Sequence, residues 1–432
     1  MTFRKTACLA SLLLSFPLAA PTLSAAADWG TPAVSGSDSD NEVTLPLEGQ
    51  ATATYGNVYI GYAYEGSDAR VYVNNNTGTM SSGLTITNRL YGGFAYINND
   101  GGDVIITTNE NKLFLKDGTI VKHTKASSYV YVYGGYSNAS DDTTHSTSAK
   151  ANDNKVYIGN ENKDEVVNGV QIAGYATIRG GYAYNYKSNE DSSVEATGNT
   201  VTIYDGVTFN KDKSVYIYAG EARYDKGNGS VTASGNTLNM TILTGIKTLD
   251  VVIGNANADS NANGTVKAVA DGNKGKWVLG DDAQICDNGF KTVGGWARNY
   301  HGDAQANSNE LDITGGVFKD KLITGWAAGG GEINANSNIT KLNNVVNRGD
   351  SIYDYRYFVG GYAEGRSSNT TATVTANKNI STVTESKMNY AYGGFAEANY
   401  GGKKASTQSN ELTMTSSTAD YAYAGYAAIM NW

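Results

Sequence analysis

The chain has 432 residues, and its 33 Lys and Arg against 42 Asp and Glu give a formal net charge of −9. That balance excludes nucleic acid and an anionic membrane surface as electrostatic partners. Fifty-one glycines and 31 tyrosines beside only four prolines argue against a helical or α/β enzyme and for short strands joined by many turns.

The N-terminus reads as a leader. Arg4 and Lys5 precede an apolar run from Ala7 to Ala20, and Ala25-Ala26-Ala27 supplies small residues for cleavage before Asp28. Residues 1–27 are therefore expected to be a Sec-type signal peptide, because the apolar run is too short to span a membrane. Without it the balance moves to about −11, a self-repelling surface. Cys286 is then the one remaining cysteine, so no intramolecular disulfide can form. Residues 28–50, with "SGSDSDNE", read as an extended lead-in or N-terminal cap.

From residue 51 to 432 the chain repeats itself. A Gly-aromatic-Ala phrase recurs as "IGYAY" at 60, "YGGFAY" at 91, "YGGYSN" at 133, "RGGYAY" at 179, "YAGEAR" at 218 and "IGNANA" at 253. It continues as "VGGWAR" at 293, "TGWAAG" at 324, "VGGYAE" at 359, "YGGFAE" at 392 and "YAGYAA" at 423. The spacing, roughly 30–46 residues, falls in the range of solenoid repeats. Between these lies Asn-x-(Val/Leu)-x-(Ile/Leu/Met): "NKLFL" at 111, "NKVYI" at 154, "NTVTI" at 199, "NTLNM" at 236, "NELDI" at 309 and "NELTM" at 410. Ala151, Ala196, Ala233 and Ala306 each stand three residues before such an Asn.

Alternation puts Val201 and Ile203 on one face of a strand and Thr200, Thr202 and Tyr204 on the other. A strand with one apolar face cannot bury it alone, whereas stacked copies can. Gly-Gly is expected to mark a bend, and the Asn corners are expected to stack as side-chain ladders. In "YVYVY", from Tyr129 to Tyr133, both faces are apolar; we expect Val and Ile inside and Tyr at the bends or under loops. Polar stretches such as "NYKSNEDSS", "RYDKGNGS" and "EGRSSNTTAT" read as loops thrown out from one side. The expected fold is all-β, a right-handed parallel β-helix of about ten irregular repeats, the last of them truncated.

These two phrases behind a signal peptide resemble the passenger domains of bacterial autotransporters. The resemblance covers about residues 55–432. It implies a right-handed β-helix exposed at the outer membrane of a Gram-negative bacterium, acting as an adhesin toward a host or bacterial surface protein or glycan. It also implies a C-terminal outer-membrane β-barrel as translocator. Here the repeat beginning near Tyr423 stops at Trp432 within its first strand, so the sequence reads as a fragment or as a barrel-less secreted relative. The chain as given is not expected to insert into a membrane, since a mean hydropathy of −0.38 does not suit a lipid-facing band.

Candidate chemistry is sparse. Arg348, Gly349 and Asp350, in "NRGDS", display a cation and a carboxylate on a turn and form the candidate receptor-binding turn; a plain polar turn is the competing reading. "GDSI" at 349–352 mimics a hydrolase nucleophile block around Ser351. His123, His145 and His301 all precede it, however, and Asp142 with His145 stands in the wrong chain order for a triad. No Cys/His cluster suits zinc, and acidic turns such as "SDSDNE" and "NEDSS" read as solvated turns rather than calcium sites. Asp354 and Arg356 alternate on one segment, as in β-helix polysaccharide lyases, and as in any surface pair. No catalytic residue, metal or cofactor is assigned. The leading expectation is a non-enzymatic adhesin, with a carbohydrate-active β-helix enzyme (polysaccharide lyase or hydrolase-like) as the alternative.

Overall fold

The computed structural model describes residues 27–29, 38–65, 70–98, 103–143, 146–161, 169–188, 191–210, 212–243, 248–262, 266–281, 283–285, 291–347, 356–366, 372–399 and 404–430. Among them there is no helix. The strands form one sheet of 27 and one of 11, paired in parallel between successive turns of the chain. The protein is an all-β parallel β-helix.

One coil shows the plan. Lys112–Leu115 lies in the smaller sheet, and a turn at Gly118 leads to the short strand Ile120–Val121. The long strand Tyr129–Thr143 and the strand Thr147–Lys150 follow, and a corner returns the chain to Lys155–Ile158, one rung on. The smaller sheet holds one strand per coil, from Glu42–Leu45 to Glu411–Thr415. Part of the lead-in is thus its first rung, since Glu42–Leu45 pairs with Thr77–Met80.

The long strands bend at the glycines. Tyr133 and Tyr136 both point outward although three residues apart, while Val132 and Ser137 on either side of the pair are buried. The alternation of a flat strand is therefore broken at Gly134-Gly135. The bend divides the interior into two cores. One is wide and filled by Val130, Val132, Val156, Ile158, Trp277 and similar residues. The other is filled mostly by alanine and valine, including Ala149, Ala151 and Ala183, with Ile97, Ile106, Tyr224 and Ile333 among them.

A pillar of asparagine separates the cores. The amide Nδ2 of Asn154 donates to Oδ1 of Asn199 at 3.2 Å, Asn199 to Asn236 at 3.1 Å and Asn236 to Asn273 at 3.1 Å. The chain of bonds runs unbroken from Asn41 to Asn410. Each Oδ1 also accepts the backbone N–H of the preceding ladder Asn, as Asn199 does from Asn154. From Asn76 to Asn379 these side chains are fully buried, so their polar atoms need such partners.

The ladder dictates the glycines. A β-carbon on Gly135 would stand 2.5 Å from Nδ2 of Asn154, so only glycine lets the strand pass the amide. The same conflict recurs from Gly61 with Asn76 to Gly394 with Asn410. Positive φ falls elsewhere, on the residue before each ladder Asn, between +54° at Ser409 and +66° at Gly198. Only Gly198, Gly235 and Gly272 are glycines there; Glu110, Asp153, Ser337 and Lys378 hold the same conformation. The left-handed residue of each corner is therefore the one before the ladder asparagine.

"RYDKGNGS" is a further correction. It is not a loop but the second half of the strand Val215–Thr232, which pairs in both limbs of the large sheet.

Candidate functional site

The bend at the glycines gives the outer surface a re-entrant angle. Outward residues on the two limbs converge, as Tyr59 and Tyr62 do, with ring centroids 4.9 Å apart, edge to face. Register repeats this in every coil, so two columns of side chains run along the stack. Before the bend stand Tyr59, Tyr91, Tyr133, Arg179 and Tyr218, then the aliphatic Val252, Val293, Ile323 and Val359, then Tyr392 and Tyr423. After it stand Tyr62, Phe94, Tyr136, Tyr182, Glu221, Asn255, Trp296, Trp326, Tyr362, Phe395 and Tyr426.

Parallel in-register strands stack these rings along the axis. Phe94 lies 5.0 Å from Tyr62 and 4.9 Å from Tyr136, stacked with its plane nearly parallel to both. Trp326 lies 5.5 Å from Trp296 and 5.5 Å from Tyr362. The rings cover one another's faces. Tyr91, Tyr133 and Trp326 are therefore buried although they point away from both inner cores. Trp296, Trp326 and Tyr362 belong to a third apolar cluster of their own. The column tyrosines thus line the outside and pack at the bend, whereas Tyr224 lies in the second inner core and Val130 and Val132 face inward as expected.

Charges are set into this aromatic lining. Arg179 meets Glu221 at 2.5 Å and lies 4.6–5.1 Å from the ring centroids of Tyr182, Tyr133 and Tyr218. Burial works to discharge the guanidinium, but Glu221 and the tyrosines outweigh it and raise its pKa. Burial also raises the pKa of Tyr91, Tyr182 and Tyr218 well above the usual phenol range. Farther along, Lys291 stands 4.0 Å from the centroid of Trp296. Glu364 accepts two bonds from Arg366 at 2.8 Å and one from the indole N–H of Trp326 at 3.1 Å. The Tyr362 hydroxyl donates to Glu397 at 2.9 Å.

Recesses open on the surface among the described residues. One of about 320 Å³ lies on the outer face between Tyr129, Tyr131, Thr177, Arg179, Tyr216 and Tyr218. Another, about 780 Å³, is a polar shelf over the second limb, bordered by Arg70, Asp103, Ser146, Ser148, Ser193 and Ser230.

Arg348, Gly349 and Asp350 lie outside the described residues, as do Ser351, Ile352, Asp354, His145 and Cys286. His123 is half-buried and accepts the N–H of Lys125 through Nδ1 at 2.9 Å, a local turn contact. Asp38 of "SDSDNE" is no solvated turn residue. Its carboxylate accepts from Asn41 Nδ2 and from the backbone N–H of Tyr62, both at 2.9 Å, and so seals the first coil. Among the described residues no three His, Cys, Asp or Glu converge as a metal site.

The columns were partly visible in the repeated phrases. The interruption at Glu221 and Asn255 was visible too, because "YAGEAR" and "IGNANA" alone put a polar residue directly after the bend glycine in an otherwise aromatic column. Compared with known proteins, the chain matches no family model, no curated protein and no solved structure.

Proposed function

We propose that this chain is an autotransporter-like passenger, exported through the Sec pathway and held at the cell surface, outer membrane or exterior of a Gram-negative bacterium. There it acts as a non-enzymatic adhesin, attaching to or aggregating surfaces through its repeat faces. The observation that carries this reading is the pair of outer columns, in which aromatic side chains recur along the stack with charged ones set among them. A surface of that kind adds weak contacts in series, which suits adhesion better than turnover in a pocket. The partner is a host or bacterial surface protein or glycan, and an outer-membrane translocator serves delivery. The "NRGDS" turn remains a candidate receptor contact within this reading.

Cells that display the chain should clump or attach more than cells that lack it. Equal clumping and equal attachment would end the adhesin reading. The alternative, a carbohydrate-active β-helix enzyme, draws on the carboxylates and cations gathered along the columns. Glu364 and Glu397 are engaged with Arg366, Trp326 and Tyr362, which suits a fixed lining. New reducing ends released from a polysaccharide panel would favour the enzyme.

A further inference from the structure

The smaller recess on the outer face is a gap in a third column of outward side chains. Two residues before Tyr133, Arg179 and Tyr218, register sets Tyr131, Thr177 and Tyr216 side by side on three successive coils. Farther along this column, rings on adjacent coils stack, as Tyr390 does on Tyr421 at 5.0 Å. At Thr177 the ring is missing. Tyr131 meets Tyr133 edge to face at 5.9 Å, and among the described residues no ring stacks on it from the Thr177 side. Adjacent strands lie about 4.8 Å apart, so the strands that carry Tyr131 and Tyr216 are roughly 9.6 Å apart across the gap. That is two stacking intervals, the room of one ring.

The gap is open, and its floor is polar. Tyr129, Tyr131 and Tyr216 on its walls are half-buried and reach solvent. Thr177 at the base is 6% exposed, yet its hydroxyl has no hydrogen-bond partner among the described residues. That oxygen is not sealed off either, so it meets the recess it lines. Thr87, equally buried, shows the usual outcome: its hydroxyl donates to the Tyr55 carbonyl at 3.1 Å. A buried hydroxyl without a partner calls for one. The charge on the wall is already matched. Arg179 meets Glu221 through Nε at 2.5 Å and donates to the Tyr133 hydroxyl through Nη1. No cation among the six lining residues is left unpaired, so an anion finds no counter-charge there.

We propose that this recess is a subsite for one neutral pyranose ring of a glycan. The sugar takes the place of the missing ring, its C–H faces toward Tyr131 and Tyr216 and one hydroxyl bonded to Thr177 Oγ1. The volume of about 320 Å³ lies at the small end of ligand sites, roughly 300–1,000 Å³, and suits one ring rather than a chain of them. An aromatic side chain from a protein partner would also fill the gap, but it would leave the Thr177 hydroxyl unmet. A saturated ring that carries hydroxyls answers both the walls and the floor. The proposal rests on the adhesin reading and names its ligand class.

The test is binding of the full chain to an immobilised panel of neutral hexose and N-acetylhexosamine oligosaccharides, with sialylated and sulfated ones and N-acetyltyrosine amide alongside. Neutral sugars should bind. Thr177→Val keeps the shape, removes the hydroxyl and should weaken binding about tenfold. Thr177→Tyr supplies the missing ring and should abolish binding. Tyr64→Ala, at an exposed ring outside the recess, should leave it within about twofold, and all three should keep the wild-type circular dichroism spectrum. The proposal falls if no neutral sugar binds, if only sulfated or sialylated probes bind, if the tyrosine amide binds in place of any sugar, or if either Thr177 variant binds like wild type. Cell attachment separates the two readings. If displayed chains still promote attachment while the panel stays blank, the subsite is lost and adhesion stands; if attachment is also absent, adhesion falls with it.

Discussion

Ile253 and Gly275 occupy one volume: a β-carbon on Gly275 would stand 2.6 Å from the Ile253 Cδ1. Ile253 replaces the first glycine of the bend, and Gly275 replaces the aliphatic residue that other coils place two after the ladder Asn. Leu238 and Leu311, its neighbours in the smaller sheet, show the usual choice. Ile60 and Gly78 repeat the exchange, again with 2.6 Å to the missing β-carbon. Thr324 and Thr340 settle the same position with a hydroxyl–hydroxyl bond.

The exchange should appear in a double-mutant cycle. Gly275→Leu alone overpacks the coil and should cost about 1–3 kcal/mol. Ile253→Gly alone leaves a cavity and should cost about 3–5 kcal/mol. Made together, the two should cost at least about 1 kcal/mol less than their sum. Urea midpoints of the four chains decide it, and simple additivity would contradict the shared volume.

Asn199→Ala should be among the most harmful substitutions at the centre of the stack. It removes the bond to Asn236, leaves the Asn154 amide with only the Thr108 carbonyl and takes the acceptor from the Asn154 backbone N–H. A loss of roughly 3 kcal/mol is expected from unmet buried groups. Thermal unfolding checks it, and an unchanged midpoint would mean that the ladder is ornamental.

Glycine should help where the backbone is left-handed. Glu110 and Lys378 are exposed and hold φ of +58° and +55°. Relief of roughly 1–2 kcal/mol of left-handed strain, less the entropy of the added glycine, leaves a gain of about 0.5–1 kcal/mol for Glu110→Gly or Lys378→Gly. The same denaturation assay applies, and a loss of stability at both sites would refute the strain argument.

Alkali should unfold the protein from the outer columns. Burial, with a further push from Tyr129, raises Tyr216 to about 12, and burial then Tyr423 raises Tyr392 to about 12. Tyr91, Tyr182, Tyr218 and Tyr362 are raised as well, first by burial. A raised phenol pKa means that the folded state holds the proton longer. The stabilisation is complete below pH about 10 and is lost as pH rises through the folded values. Tyrosinate absorbance should therefore rise in two waves, exposed rings first and lining rings with unfolding. A single wave near pH 10 in a protein that stays folded would overturn the burial of the columns.

The repeat was legible because stacking forces the same chemistry onto successive coils. "GG" and "N-x-V-x-I" could be paired by eye, and the structure supplies the cause: the glycine is missing a side chain where the asparagine amide passes. The left-handed corners were not legible, since Glu110, Asp153 and Lys378 are poor signals for positive φ; tertiary pairing on both sides holds them there. Alternation alone did not orient "YVYVY" either, because Tyr and Val are both acceptable inside, and the expectation of Val inward rested on the other strands. Only the bend, which gives outward rings somewhere to bury, decides between them.

The asparagine pillar has a direction. Every rung gives an N–H toward the next and takes one from the rung before, so a coil can join only in one orientation and at one register. Each finished coil is a template for its successor. Ladder bonds join residues 29 to 45 apart, about a tenth of the chain, a locality more usual for helical bundles than for β proteins. Order can therefore spread along the stack from any rung that forms first, one loop of chain at a time, without waiting for the far end.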